Sequence, residues 1–186
     1  THHQPGAVIW KDNADGTYTT ELLLKKQGKD TLKVTVNNNS KEVNINVGSP
    51  EGKSAVQNVK LDIINSKLSV NDSVELRLTL TDSHDNGVEK VQTSDIQLEH
   101  DNTLVSKLIW LEQSAGVYTT TLPLHKQGKN TFVSRVNNQT NIPLTINVSA
   151  LTGSSNVKVV ELKASTNQLT VGSQTELTLQ LTDQWG

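Results

Sequence analysis

The sequence predicts an all-β protein built from consecutive β-sandwich domains, and three observations lead to that prediction. Apolar and polar residues alternate in short runs along most of the chain. The runs end in Gly, Asn, Asp or Ser, which tolerate turn geometry or hydrogen-bond their own backbone. Two long segments are near copies of each other, displaced by about the length of a domain, as in a tandem array.

The alternation is clearest at 74–80, where one Val and three Leu are separated by Glu, Arg and Thr. A period of two turns every second side chain toward the same face of a strand. The same pattern occurs at 32–36, 43–47, 144–148 and 177–181. We therefore expect about seven strands in each hundred residues, which is typical of two packed antiparallel sheets.

The repeat is long enough to be a whole domain. Trp10, the Gly-x-Tyr-Thr-Thr run at 16–20 and the Lys-Gln-Gly-Lys run at 26–29 recur as Trp110 and the same runs at 116–120 and 126–129. Solenoid repeats run at roughly 20–50 residues and cannot bury a core alone. The longer period seen here therefore predicts separate domains joined end to end.

A second pair of matches indicates where each domain starts. The pattern Leu-x-Leu-x-Leu-Thr-Asp at 76–82 recurs at 177–183, and Asn-Val-Lys at 58–60 recurs at 156–158. These matches belong to the opening strands of a domain, whereas the first set belongs to its closing strands. The given chain is therefore out of phase with its own repeat.

Together the matches predict three units. The middle unit, 56–149, is a complete domain, the first unit, 1–49, is the C-terminal part of another, and the third unit, 157–186, is the N-terminal part of a following one. About a hundred residues can bury a working core. The partial units should leave sheet edges unpaired. We expect either that the head of one molecule pairs with the tail of the next, or that other strands of the parent chain cover them.

For the middle unit we expect strands near 57–63, 68–70, 74–81, 88–92, 95–99, 104–110, 117–124, 130–137 and 143–148. Pro123 has no backbone donor, so its strand should be an edge there or carry a bulge. The copy at position 23 is Leu, which suggests that this site faces outward. The connectors at 48–57 and 149–155 are too short for free tumbling, so the array should be semi-rigid.

Composition excludes several classes of function. The chain has no Cys, so it has neither disulfides nor thiolate chemistry, and its net charge of −2 offers no basic face for nucleic acid. The longest apolar run, 108–111, is far shorter than the ~20 residues that span a bilayer. No signal-peptide pattern opens the chain, and any membrane anchor is expected outside this sequence.

The candidate chemical sites are few. Asp82, Asp85 and Asn86 offer the oxygen ligands that Ca²⁺ takes, but Asp, Asn and Gly are also common in plain turns, and we favour the plain turn. The five histidines, His2, His3, His84, His100 and His125, are expected to be solvated, because zinc sites need three or four convergent ligands. No nucleophile elbow or phosphate loop is present. We therefore expect no enzyme activity, no cofactor, and no catalytic or metal-binding residue.

The repeated aromatic residues have two interpretations. Trp10 and Trp110, like Tyr18 and Tyr118, could be exposed anchors for a partner, since aromatic residues dominate binding hot spots. Each pair also recurs at one position of successive units, which fits a role in the core. We favour the core.

The chain resembles a known family in several of these motifs. Leu-Thr-Leu-Thr-Asp at 78–82, Leu-Gln-Leu-Thr-Asp-Gln-Trp-Gly at 179–186 and Gly-x-Tyr-Thr-Thr-x-Leu at 16–22 and 116–122 resemble the bacterial Ig-like (Big-1) repeats of intimin and invasin adhesins. The resemblance implies tandem immunoglobulin-like β-sandwich domains in the extracellular passenger of an inverse autotransporter, on the outer membrane of a Gram-negative bacterium. The turn at 82–87 is longer than the form at 183–186, and no lectin-like cap is present.

Three functions follow as hypotheses. The first is a stalk or spacer of a surface adhesin, which holds a distal binding region outward and touches a host-cell surface protein or extracellular matrix. Its other partners would be neighbouring repeats, with no nucleic acid. The second is a recognition module that binds ligand through loops such as 82–87 and 100–103. The third is an accessory domain of a secreted carbohydrate-active enzyme.

Overall fold

Strands make up almost all of the regular structure. The computed structural model describes residues 8–65, 67–151 and 156–184. Short 3-10 turns lie at Lys53–Ala55 and Thr93–Asp95. No helix in these three ranges is long and apolar enough to cross a membrane. The strands are β1 (Lys11–Asp12), β2 (Tyr18–Thr19), β3 (Gly28–Val36), β4 (Asn39–Val47), β5 (Asn58–Ile63), β6 (Ser73–Thr81), β7 (Gln97–His100), β8 (Thr103–Leu104), β9 (Leu111–Ser114), β10 (Val117–Pro123), β11 (Gly128–Val136), β12 (Gln139–Thr140), β13 (Leu144–Val148), β14 (Val159–Ala164) and β15 (Leu177–Thr182).

Two antiparallel sheets lie in the middle unit. The first has the strand order β5-β6-β10-β9, and the second has the order β12-β11-β7-β8 with β13 also paired to β11. When β8 and β12 are set aside, the remaining strands match the A to G strands of a constant-type immunoglobulin domain, with ABED in one sheet and CFG in the other. The prediction of an all-β, immunoglobulin-like β-sandwich is confirmed.

The core lies between these two sheets. The apolar residues at 74, 76, 78 and 80 of β6 have 0% exposed surface, while their polar neighbours face solvent. Phe132 on β11 is also fully buried and comes from the second sheet. Among the described residues, all buried apolar side chains lie between Val56 and Val148. Full burial of each Leu or Phe contributes about 1.5–3 kcal/mol.

The duplicated segments adopt the same strand pairing. Leu162 of β14 lies opposite Leu179 of β15, as Leu61 of β5 lies opposite Leu78 of β6. The hairpin of β3 and β4 likewise reproduces the register of β11 and β13. The repeat in the sequence is therefore also a repeat in the structure.

One sequence match does not correspond to the structural alignment. Val159 lies opposite Thr182 in the third unit, at the place where Asn58 lies opposite Thr81 in the middle unit. The structural counterpart of Asn58 is thus Val159, and the match of 58–60 to 156–158 is wrong by three positions. Register decides the alignment because a strand shifted by an odd number of residues turns its apolar side chains to the wrong face.

The same residue types are exposed in the first and third units. Trp110 is 4% exposed and its copy Trp10 is 46% exposed. Tyr118 and Tyr18 are 1% and 58% exposed. The pairing of β1 with β2 matches that of β9 with β10, but β10 also pairs with β6. The described part of the first unit has no counterpart of β5, β6 or β7, so the strands that help to cover Trp110 and Tyr118 are missing around Trp10 and Tyr18. The core interpretation of the aromatic residues is confirmed for the middle unit, and head-to-tail pairing between molecules stays a prediction.

Three of the predicted strands were wrong. The segment 88–92 forms only a bridge, from Glu89 to Glu51, and 68–70 forms only a bridge, from Ser69 to Ser149. The strand expected at 104–110 is limited to β8, because Lys107 has a φ of 60° and leaves the extended conformation. A strand that the sequence did not predict, β9, follows instead.

Pro123 lies at an edge, as predicted. Strand β9 pairs only with Val117, Tyr118 and Thr119 of β10, so β10 has a partner strand on one side alone where it reaches Pro123. Pro123 is exposed, and its copy Leu23 is 71% exposed. The missing backbone donor at this position therefore breaks no ladder hydrogen bond.

Candidate functional site

The turn between β6 and the next segment is organised by Asp82. Its Oδ1 accepts hydrogen bonds from the backbone N–H of His84 at 2.8 Å and of Asn86 at 2.9 Å. Its Oδ2 accepts from Asn86 Nδ2 at 2.9 Å. Asp85 has a φ of 61°, a conformation that Asp tolerates better than most residues. We refer to 82–87 as the Asn86 turn.

Hydrogen bonds within the turn keep the carboxyl group of Asp82 ionised. Burial alone would raise the pKa of Asp82, but the hydrogen bonds from Asn86 and His84 together outweigh it and hold the pKa below its ordinary value. Both carboxylate oxygens thus accept hydrogen bonds from N–H donors within the turn. In the described ranges, no three His, Cys, Asp or Glu side chains converge on a point that could hold a metal.

Asn86 links the middle unit to the first unit. It is 6% exposed although it is polar. Its Oδ1 accepts from the backbone N–H of Gln27 at 3.0 Å, and its Nδ2 donates to the carbonyl of Lys25 at 2.8 Å. Lys26 Nζ donates to the carbonyl of His84. We refer to the backbone of 25–27 as the receiving segment.

The connector joins the middle unit at the same end. Glu89 donates its backbone N–H to the carbonyl of Pro50 at 2.9 Å and accepts from the N–H of Gly52 at 2.8 Å. Gly87 forms a bridge with Thr81, the last residue of β6. The first unit, the connector and the Asn86 turn therefore meet at the C-terminal end of β6.

The chain leaves the middle unit at the opposite end of β6. Ser149 donates its N–H to the carbonyl of Leu68 at 2.9 Å, and its own carbonyl accepts from Val70 at 3.0 Å. These residues lie just before Ser73, where β6 starts. A strand of nine residues spans about 27 Å at roughly 3.4 Å per residue. The two attachment points are therefore about that far apart.

Tyr118 holds the irregular segment that follows the Asn86 turn. Its hydroxyl donates to the carbonyl of Val88 at 2.9 Å and accepts from the N–H of Val91 at 3.1 Å. Val88 and Val91 are buried without belonging to a strand, so these two bonds satisfy backbone groups that no ladder reaches. Burial raises the pKa of Tyr118 to about 12.

We expect this burial to make the middle unit sensitive to alkali. The pKa of Tyr118 in the folded state lies above its ordinary value of 10.0, so its contribution to stability is complete below about pH 10 and is lost as pH rises toward 12. The chain has two tyrosines, and in a Tyr18→Phe variant only Tyr118 absorbs as tyrosinate. Tyrosinate absorbance should then rise together with loss of the β-sheet circular dichroism. Ionisation well before unfolding, near pH 10, would contradict the burial of the hydroxyl.

The loop at 100–103, proposed for ligand recognition, is engaged with its own unit. Asp101 accepts from Lys126 Nζ at 2.7 Å and from the backbone N–H of Thr131 at 2.8 Å. The Lys126 ammonium holds the pKa of Asp101 below its usual range. His100 corrects the expectation that every histidine is solvated: its ring stacks on Phe132 at 4.7 Å between centroids and is half-buried. His2 and His3 lie outside the described residues.

The fold is shared with two bacterial proteins of known structure. FdeC, an Escherichia coli adhesin, aligns with a TM-score of 0.51 at 21% sequence identity, over 96% of this chain and 58% of that one. InvD of Yersinia pseudotuberculosis aligns with a TM-score of 0.56 at 16% identity, over 97% of this chain and 58% of that one. No protein-family model and no curated protein sequence matches the chain. At fold level, then, the chain is similar to adhesin immunoglobulin-like domains and spans 58% of each of these two structures.

A shallow groove crosses the outer face of the first sheet. It has a volume of about 890 Å³. Three of its apolar lining residues, Ile64, Ile109 and Leu111, are 43%, 66% and 60% exposed, and Glu75 and Arg77 add charges. Exposed apolar patches of this kind can mark interaction sites. We call this surface the outer groove.

The sequence predicts a turn at 82–87, but it does not predict the contact between Asn86 and the receiving segment. The bonds from Asn86 reach 59 and 61 positions along the chain, and no local pattern records such a contact. One signal was present: the Lys-Gln-Gly-Lys run at 26–29 recurs at 126–129 although it is polar and does not alternate. A repeated polar run without strand periodicity indicates a shared loop function.

Proposed function

We propose that this chain is a stalk segment of a bacterial surface adhesin, in which tandem immunoglobulin-like units hold a distal binding region away from the cell. One observation carries the proposal. The chain joins the middle unit at one end of β6 and leaves it at the other, about 27 Å away. Units connected in this way extend in series, so each added unit increases reach.

The finer assignment follows the family resemblance and the fold. We place the chain in the extracellular passenger of an inverse autotransporter with Big-1 repeats, on the outer membrane of a Gram-negative bacterium. The fold shared with FdeC, an adhesin, supports a surface role of this kind. The partners would be a host-cell surface protein or the extracellular matrix at the tip, and neighbouring units along the stalk. The role is mechanical, and we propose no catalytic activity.

The test adds one unit to the chain. A copy of residues 48–148 inserted between Val148 and Ser149 recreates the native Val47–Gly48 junction, because Val148 is the counterpart of Val47. The maximum dimension from small-angle X-ray scattering should increase by at least about 27 Å. A unit that folds back beside its neighbour would add less than half of that length. Such a result would contradict the spacer role.

A second candidate function rests on the outer groove. It combines exposed apolar residues with the charges of Glu75 and Arg77. A surface of this kind is suited to binding a protein ligand. In this alternative the unit is a recognition module that binds through a sheet face. Saturable binding of the chain to host cells, lost in an Ile109→Asp variant and kept in a Leu23→Asp variant, would favour recognition over the spacer role.

A further inference from the structure

The contact between the first and middle units depends on backbone atoms. Asn86 accepts from one backbone N–H and donates to one backbone carbonyl, two residues apart on the receiving segment. A side-chain amide that pairs in this way requires a particular course of the backbone and a particular position relative to it. It makes little demand on the side chains of 25–27.

Asn86 is held in place before it meets this segment. Its Nδ2 also donates to Asp82 Oδ2, and its backbone N–H is bonded to Asp82 Oδ1. Both of these bonds lie within the turn, so the side chain has little rotamer freedom to lose on docking. A pre-organised contact of this kind restricts the motion of the two units more than a contact between mobile surface side chains.

The middle unit presents the counterpart of the receiving segment at its opposite end. Leu124 exchanges backbone hydrogen bonds with Asp72 and Asn71, beside the start of β6. The segment 125–127 follows directly, and its Lys126 and Gln127 repeat Lys26 and Gln27. It therefore lies at the downstream end, toward the third unit.

The third unit repeats the other half of the contact in part. Asp183 follows β15 as Asp82 follows β6, with the same pairing of the preceding hairpin. An Asp directly after the second strand recurs in the middle and third units, and a Lys-Gln segment recurs in the first and middle units.

We propose that the Asn86 turn is the docking element by which one unit binds the backbone of the preceding unit, and that it fixes the angle between them. Its partner is the receiving segment of another unit, recognised through main-chain atoms. Asn86 itself bonds only to main-chain atoms of its partner, so this part of the contact tolerates divergence in the side chains of 25–27, and Lys26 adds one side-chain bond to the His84 carbonyl. The biological meaning of this proposal rests on the spacer role. The stiffness of the joint between units is nevertheless a separate property from the reach of the stalk, so the two can be tested separately.

The test measures the spread of distances between two units. The chain has no native cysteine, so spin labels can be placed at the exposed positions Lys41→Cys and Ser94→Cys alone. Asn86→Ala removes both bonds to the receiving segment and keeps the backbone bond to Asp82. Double electron–electron resonance on the full chain should show a distance distribution at least twofold wider in Asn86→Ala. The control Ser83→Ala lies in the same turn, is exposed, and should leave the width unchanged.

A second variant guards against a folding defect. Lys26→Ala lies outside the middle unit and removes the bond to the carbonyl of His84, so it should widen the distribution to a smaller extent. A label pair within the middle unit, at Ser94 and Thr121, reports whether Asn86→Ala keeps its fold. If the distance distribution of that pair also widens, Asn86→Ala has disturbed the fold of the middle unit, and the docking role is then judged from Lys26→Ala. An unchanged width between units in Asn86→Ala, or in Lys26→Ala in that case, overturns the docking role and leaves the series extension of the units standing.

Discussion

Replacing Gly116 by Ala is expected to lower the free energy of unfolding of the middle unit by about 2–5 kcal/mol. Gly116 has a φ of 73°, where an L-residue costs roughly 1–2 kcal/mol. A Cβ at this position would lie 2.5 Å from both Gly87 Cα and the Leu80 carbonyl oxygen. Both neighbours are backbone atoms and cannot rotate away, so overpacking adds about 1–3 kcal/mol.

Gly16 is the matched control for this substitution. It occupies the same position of the first unit, with a φ of 86°, but a Cβ there would meet nothing within 4 Å. Gly16→Ala should therefore cost only the conformational part, about 1–2 kcal/mol, and only in its own unit. Amide hydrogen exchange of β6 and β10 reports on the middle unit alone, so it distinguishes a loss of stability there from a loss in the first unit. Equal loss of protection of β6 and β10 in both variants would contradict the close approach of Gly116 to Gly87.

Replacing Trp110 by Ala is expected to destabilise the middle unit by about 3–5 kcal/mol, as is usual for a buried Trp. Trp110 is 4% exposed and packs in the core beneath the segment that carries Thr93, whose hydroxyl donates to its carbonyl at 3.2 Å. The backbone bond remains in the variant, so the loss comes from the cavity and from apolar surface returned to water.

The same substitution at Trp10 tests the contribution of β5, β6 and β7, which have no counterpart in the described part of the first unit. Trp10 is 46% exposed, so Trp10→Ala should cost well under half as much, because much of its surface already faces water. Chemical denaturation gives the loss in free energy of unfolding for each variant. Amide hydrogen exchange of the middle unit then shows whether that loss lies in this unit. A Trp110→Ala variant with unchanged protection of β6 would show that Trp110 does not contribute to this core.

The strands that could be predicted are those whose alternation of apolar and polar residues is visible in a short stretch of sequence. The strands at 74–80 and 177–181 alternate strictly, and both were predicted because a period of two is visible in a short window. The segment 88–92 has buried Val88 and Val91 but no ladder, since these two residues bond to the Tyr118 hydroxyl, 30 and 27 positions away, and Glu89 bonds to the connector. A strand was predicted there because apolar residues alone cannot distinguish a ladder from an irregular buried segment.

The candidate site was predicted less completely than the fold. Asp82 and Asn86 were recognised as turn residues, and the plain turn was preferred to a calcium site. The engagement of Asn86 with Lys25 and Gln27 could not be predicted, because one Asn in a turn has the same local sequence whether its amide faces water or another unit. The positive φ of Gly116 was likewise hidden, although its recurrence at Gly16 indicated a turn.

Local chemistry is thus sufficient for the strictly alternating strands, for the repeat and for the immunoglobulin-like class, since alternation and turn residues act within a few positions. Burial is different. Trp10 and Trp110 have nearly the same neighbours in the chain, and their exposures of 46% and 4% differ because the described part of the first unit has no counterpart of β5, β6 or β7. The joint between units also depends on the arrangement in space. It forms where the end of β6, the connector and the receiving segment meet, and hydrogen bonds between groups so far apart in sequence exist only once the chain has folded.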